Sequence, residues 1–323
     1  MKFSNEIMDE LSKLSDLNNY RGIIAVAGDW GVILGTIAIS IYMDNIFIYL
    51  FAVIIIGTRQ RALATILHES AHRVLAKNTN LNDILGKYFS GYTIFQTFQK
   101  YAKSHVILHH NYLGKKNRDP DYKYYIESDL FQETTTRHFI IKHLISPLFL
   151  SKSPSFLKYL LKNRLGDFND PEFKKLFILW ITIAAISIYT NSFHLLVLYW
   201  FIPLITSFPM VGWFIEMAEH FPIIENNNDI DQTWNRFSSK PELLLTGMHA
   251  ENLHLTHHLM PNIPFWNLHK AHNIMMRDPI YKSRNDDMGG IFHSVKGRKS
   301  LWSKILTNYF TNPRSIEVNN EKG

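Results

Sequence analysis

Residues 22–58 read GIIAVAGDWGVILGTIAISIYMDNIFIYLFAVIIIGT, with Asp29 and Asp44 as the only charged side chains. A helix that crosses a bilayer needs roughly 20 apolar residues. The stretch is therefore long enough for two such helices, at about 22–43 and about 45–66, folded into a hairpin at Met43-Asp44-Asn45. A second stretch with the same character runs over residues 176–218, with a polar break at Tyr189-Thr190-Asn191-Ser192. Four spans in two hairpins are expected, making an all-α integral membrane protein. Helices buried in a large soluble protein are also apolar all round, but runs of this length point to lipid.

Orientation follows from the basic residues. Neither hairpin tip carries Lys or Arg, whereas Arg59, Arg61, Arg73, Lys77, Lys174 and Lys175 lie toward the opposite ends. Positive charge collects on the cytoplasmic side, so both termini and most of the polar chain are expected there, as a helical cap on the membrane stem. The net charge of +6 then reflects contact with anionic lipid, and no nucleic-acid partner is needed to explain it. The mean hydropathy of −0.10 hides this division, because it averages apolar spans with polar segments. Residues 1–21 are charged and helical in pattern, without the apolar core of a signal peptide. Residues 22–283 read as one membrane domain, and 284–323 as a polar, mobile tail.

Cysteine is absent, which excludes disulfides, thiolate-bound zinc and an iron–sulfur cluster carried by this chain. Histidine takes its place as the metal-binding residue. It occurs in three knots: His68 and His72; His105, His109 and His110; His254, His257 and His258. Helical residues three or four apart share a face, so each knot can aim two or three imidazoles at one point, and each lies near the expected cytoplasmic end of a hairpin. His220, after the last apolar run and preceded by Glu216 and Glu219, is a ninth candidate, and Glu216 could reach a metal directly or through water.

Taken alone, His68-Glu69-Ser70-Ala71-His72 fits a zinc protease whose glutamate is the general base. A catalytic zinc uses three protein ligands, so that reading leaves most of the histidines idle. Eight or nine imidazoles with few carboxylates suit instead a pair of irons that activates O2. Ring nitrogens that do not face metal need acceptors; Glu69, Asp119, Asp121, Glu219, Glu251 and Asn252 are available. His138, His143, His194 and His293 lie away from the knots, and His249, His269 and His272 lie nearer the third. A metal-storing or metal-sensing membrane protein is the non-enzymatic alternative. Trp30, Phe95, Trp213 and Phe214 could line an acyl tunnel, although membrane anchoring and packing account for each singly.

The boxes HESAH (68–72), HVILHH (105–110) and HLTHH (254–258), with NLHLTHHLMPNIPFWNLHKAH at 252–272, resemble those of the membrane fatty acid desaturases, especially bacterial members. The resemblance implies a four-helix stem whose cytoplasmic face holds two irons on the box histidines, with His220 similar to the family's additional ligand. It implies O2-dependent desaturation of a lipid or fatty acyl chain to a cis double bond, fed by a separate donor such as ferredoxin or a cytochrome b5-like protein. An inner bacterial membrane would be the setting; the abundance of Lys, Asn and Ile fits an AT-rich bacterial genome. The spacing of the first two boxes also occurs among hydroxylases and ketolases of the wider superfamily.

Overall fold

In the computed structural model, residues 3–309 are described, apart from 133, 227, 287 and 296. The described chain is helical, with two isolated β-bridges near its C-terminal end. The first apolar stretch forms the helices Arg21–Met43 and Ile46–Ala71. Asp44 adopts a left-handed conformation (φ 43°), which closes the first helix as its N–H reaches Ser40 O. Asn45 then caps the second, its side chain accepting from the N–H groups of Phe47 and Ile48. The short polar turn is thus set by two residues that tolerate such geometry and cap readily.

The second stretch forms the helix Pro171–Tyr189, capped by Asp170, and after the break at 190–192 a helical run over Phe193–His220. Among the described residues, three helices are long and apolar enough to cross a membrane: Arg21–Met43, Ile46–Ala71 and Phe193–His220. Pro171–Tyr189 begins with Glu172, Lys174 and Lys175, so its apolar part starts only at Leu176. The outward faces carry exposed Ile24, Leu34, Ile39, Phe47, Phe51 and Ile178, as expected of surfaces in contact with lipid rather than water.

Close helix approach organises the stem. A Cβ on Gly57 would lie 2.1 Å from Ser207 Oγ, and that hydroxyl donates to Val53 O at 2.5 Å, locking Ile46–Ala71 against Ser207–His220. Trp30 stacks on Trp200 with ring centroids 5.2 Å apart, and Ser40 shares a 3.0 Å hydrogen bond with Tyr199. Phe95 stacks on Trp180, and the Trp213 indole N–H donates to His143 O, so these aromatics serve packing. The Phe193–His220 run is not uniform. It contains a π-helical turn at Val197–Phe201 and a non-helical Thr206 before Ser207–His220.

The polar reading of 284–323 misses four apolar residues. Met288, Ile291, Leu301 and Ile305 are fully buried in the main core, beside Trp213, Phe214 and Phe221. They fall in two short pairs, 288/291 and 301/305, too few in a row to give a sustained periodic signal. Residues 310–323 lie outside the described part.

Candidate dimetal centre

His68 sits in the last turn of Ile46–Ala71, and His72 caps it; Arg73 (φ 64°) then turns the chain away. His105 and His109 lie on a π-helix, Ala102–His109, rather than the α-helix their spacing suggests. The π register is visible in the 3.0 Å bond from His110 N–H to His105 O, and such turns recur at functional sites. His220 ends Ser207–His220. The third knot is helical only from His254 to Leu259, because His249 and Ala250 adopt left-handed backbone (φ 52° and 58°) just before it.

The structure brings all nine expected histidines together, in two groups. His68, His72, His105, His110 and His257 form one; His109, His220, His254 and His258 form the other; within each, one ring nitrogen per residue lies within 4.8 Å of all the others. The second and third knots are therefore divided between groups, while the first stays whole. Glu216 joins neither group and pairs with Arg61, and His249 turns away to Asp29 Oδ2 at 2.7 Å. His272 bonds to the Tyr281 hydroxyl at 2.9 Å.

Several of the outward nitrogens have partners, whereas His257 Nδ1 is buried without one. Asp119 Oδ1 lies 3.0 Å from His109 Nδ1, the Gln232 carbonyl 3.0 Å from His220 Nδ1, and Glu69 Oε1 3.2 Å from His68 Nδ1. Glu219 Oε1 faces His254 Nδ1 at 3.5 Å, and Asp121 Oδ2 faces His105 Nδ1 at 3.9 Å. Asp121 is itself fixed by Arg164 at 3.3 Å and by the Tyr159 hydroxyl. Of the six acceptors expected from sequence, Glu69, Asp119, Asp121 and Glu219 face site histidines. Glu251 goes to Arg61, and Asn252 donates to Arg236 O. The Gln232 carbonyl was not expected, since main-chain acceptors leave no trace in residue type.

The inward nitrogens face one another. His109 Nε2 and His220 Nε2 are 3.2 Å apart, His220 and His254 3.1 Å, His254 and His258 3.1 Å, and His110 lies 3.2 Å from His105 and 3.3 Å from His257. A carbonyl only accepts, so His220 carries its proton on Nδ1 and presents a lone pair at Nε2. Lone pairs converging at this distance repel unless a cation lies among them. His68 Nε2 and His72 Nε2 are buried with no hydrogen-bond partner. For metal–nitrogen bonds of about 2.1 Å, neighbouring ligand atoms stand about 3.0–3.4 Å apart, so the spacing fits a metal.

Electrostatics agree. Burial holds His105, His110, His254, His257 and His258 well below the usual imidazole pKa, with their neighbours' charges adding to the effect, so they are in the neutral, ligating form. At His109 burial works in the same direction, but Asp119 and Asp121 outweigh it and raise the pKa to about 9. A proton there stands in the space a metal ion would hold.

Comparison with known proteins now has a site to explain. The sequence profile described as fatty acid desaturase matches residues 45–285. The chain is 38% identical over 319 residues to the dihydrorhizobitoxine desaturase of Bradyrhizobium elkanii, covering 94% of this chain and 88% of that protein.

Proposed function

The chain belongs to the fatty acid desaturase family, and from that premise we propose that it is a membrane-bound, O2-dependent desaturase with one iron in each histidine group. The observation that supports this best is the convergence of nine imidazoles, seven of which bring ring nitrogens within 3.1–3.3 Å of one another while Asp119, the Gln232 carbonyl and Glu69 hold the outward nitrogens of His109, His220 and His68. When bound, two irons supply the means to reduce O2 and to remove two hydrogens from adjacent carbons. The balance is CH2–CH2 plus O2, two electrons and two protons, giving CH=CH and two waters. A separate donor such as a ferredoxin or a cytochrome b5-like protein delivers the electrons.

The protein's own part is positional. Asp119 and the Gln232 carbonyl fix the tautomers of His109 and His220. Glu69 does the same for His68, and its other oxygen accepts the Phe265 N–H at 2.9 Å. With both oxygens committed, Glu69 is not free to act as the base of a zinc protease, which argues against that alternative. The expected topology fits the site. The helices Ile46–Ala71 and Ser207–His220 both deliver ligands at their C-terminal ends, so a four-span stem of residues 22–283 would carry the centre at its cytoplasmic face.

The family name points to an acyl chain and the relative's name to dihydrorhizobitoxine; hydrogen removal from neighbouring carbons is common to both. Metal analysis of the purified protein, followed by O2 uptake with a reductant and mass spectrometry of the products, tests the reading. About two irons per chain and a product lighter by two hydrogens are expected. One zinc and no iron would sink it, and a product heavier by one oxygen would indicate the hydroxylase of the wider superfamily.

A further inference from the structure

The cavity beside the histidines is narrow, about 40 Å³ in volume, and its wall combines apolar Phe156, Leu160, Phe208 and Leu268 with a set of charged side chains. Most of that charge is matched. Asp121 has Arg164 at 3.3 Å and Glu69 has His68 and the Phe265 N–H, whereas Glu219 Oε1 faces His254 Nδ1 at 3.5 Å without a hydrogen bond. What remains is Arg61 between two carboxylates, with Nη2 2.6 Å from Glu251 Oε1 and 3.2 Å from Glu216 Oε1.

One nitrogen of the Arg61 guanidinium serves both carboxylates, so their remaining oxygens need other partners. The next arginine, Arg236, donates to Thr246 O at 2.9 Å, and among the described residues it has no carboxylate within ion-pair distance. Glu251 Oε2 is buried without a hydrogen-bond partner, on a side chain only 8% exposed that lines the cavity. The left-handed turn at His249 and Ala250 places it there, and the bond from His249 to Asp29 anchors that turn. A buried carboxylate oxygen left unpaired is costly, and a bound cation removes the cost.

We propose that Glu251, with Glu216, receives the ammonium group of a small primary amine, whose carbon chain lies along Phe156, Leu160, Phe208 and Leu268 toward the histidines. The proposal rests on the desaturase reading and names its substrate class. An ammonium offers three N–H donors to these oxygens, and Glu251 Oε2 gains the partner it lacks. A lipid acyl chain would instead press methylenes against the ion cluster and leave it unpaired, the situation that sites built for polar groups reject most strongly.

Binding tests this directly. Full-length, iron-loaded protein in nanodiscs is titrated with butylamine, 1-butanol and butyrate, and affinities are read by ligand-observed NMR. Butylammonium should bind at least tenfold more tightly than the other two. Glu251→Gln should erase that preference while keeping its iron and its weak affinity for butanol. Should Glu251→Gln fail to fold, Glu251→Asp, which keeps the charge but withdraws the oxygens, should retain the preference in weakened form. Equal affinity for butanol and butylammonium in the wild type, or an unchanged preference in Glu251→Gln, overturns the proposal. An O2-dependent double bond found in membrane acyl chains would overturn it and leave the desaturase reading intact. Amine selectivity in a protein with no O2-linked product would do the reverse.

Discussion

The two histidine groups are built on different principles. The group of five (His68, His72, His105, His110, His257) is rich in ligands and loosely braced, whereas the group of four (His109, His220, His254, His258) has fewer ligands and firm supports. In the group of five, Glu69 supports His68 at 3.2 Å, Asp121 lies 3.9 Å from His105, and His257 Nδ1 is buried without a partner. In the group of four, His109, His220 and His254 all have an oxygen within 3.5 Å of Nδ1. Redundancy would protect a metal in the first group and orientation one in the second.

Removing a ligand should expose this difference most strongly. His220→Ala leaves three imidazoles in its group, and metal content should fall from about two irons per chain toward one, with activity lowered more than a hundredfold. His257→Ala leaves four in its group. It should lose activity to a similar degree yet keep both metals and remain in the membrane. Iron analysis beside a turnover assay separates the two outcomes; equal loss of iron from both variants would dissolve the distinction.

Removing a support should act more mildly, and again the group of four should be the more sensitive. Asp119→Asn keeps the cap on the helix Pro120–Glu127, because Asn can also accept from the N–H groups of Asp121 and Tyr122. It removes the nearer of two charges beside His109, with Asp121 Oδ2 remaining 3.4 Å from Nδ1. Loss of such a partner typically costs about 10–100-fold in metal affinity, and the upper part of that range is expected here. Glu69→Gln can still accept from the Phe265 N–H and touches one of five ligands, so a loss of about tenfold or less is expected. Competition with a chelator of known affinity measures both. A larger effect for Glu69→Gln would show that the loosely braced group depends on its single support.

How much of this could be read beforehand varies from residue to residue. The two apolar stretches and the turn at Asp44-Asn45 were legible because length and capping chemistry are local properties. His68 and His72 were legible as a pair because an α-helix puts residues four apart on one face. The division of the second knot was not. His105 and His109 have the same spacing, but the π-helical register sends His109 to one group and His105 with His110 to the other. That register is set by packing. The left-handed turn at His249 and Ala250 likewise shortens the third helix, although neither residue type announces it. The Arg61–Glu216–Glu251 cluster joins residues up to 190 positions apart, and only the fold brings them into contact.

The last effect expected is on the stability of the metal-free protein, where acid should act through both groups and alkali through His109 of the group of four. Burial depresses the pKa of His105, His110 and His257 in one group and of His254 and His258 in the other. These residues bind protons more readily when unfolded, so stability falls as pH drops below about 6.5. His109 behaves oppositely. Burial lowers its pKa, but Asp119 and Asp121 override that and raise it to about 9. Its contribution is therefore complete below about pH 6.5 and is lost as pH rises toward 9, with a total on the order of 3 kcal/mol. Thermal unfolding of chelator-stripped protein in detergent should show a maximum near pH 6.5, with an alkaline decline that Asp119→Asn flattens and Glu69→Gln does not. If both substitutions left the alkaline limb unchanged, the proton on His109 would not be the stand-in for the metal in the firmly braced group.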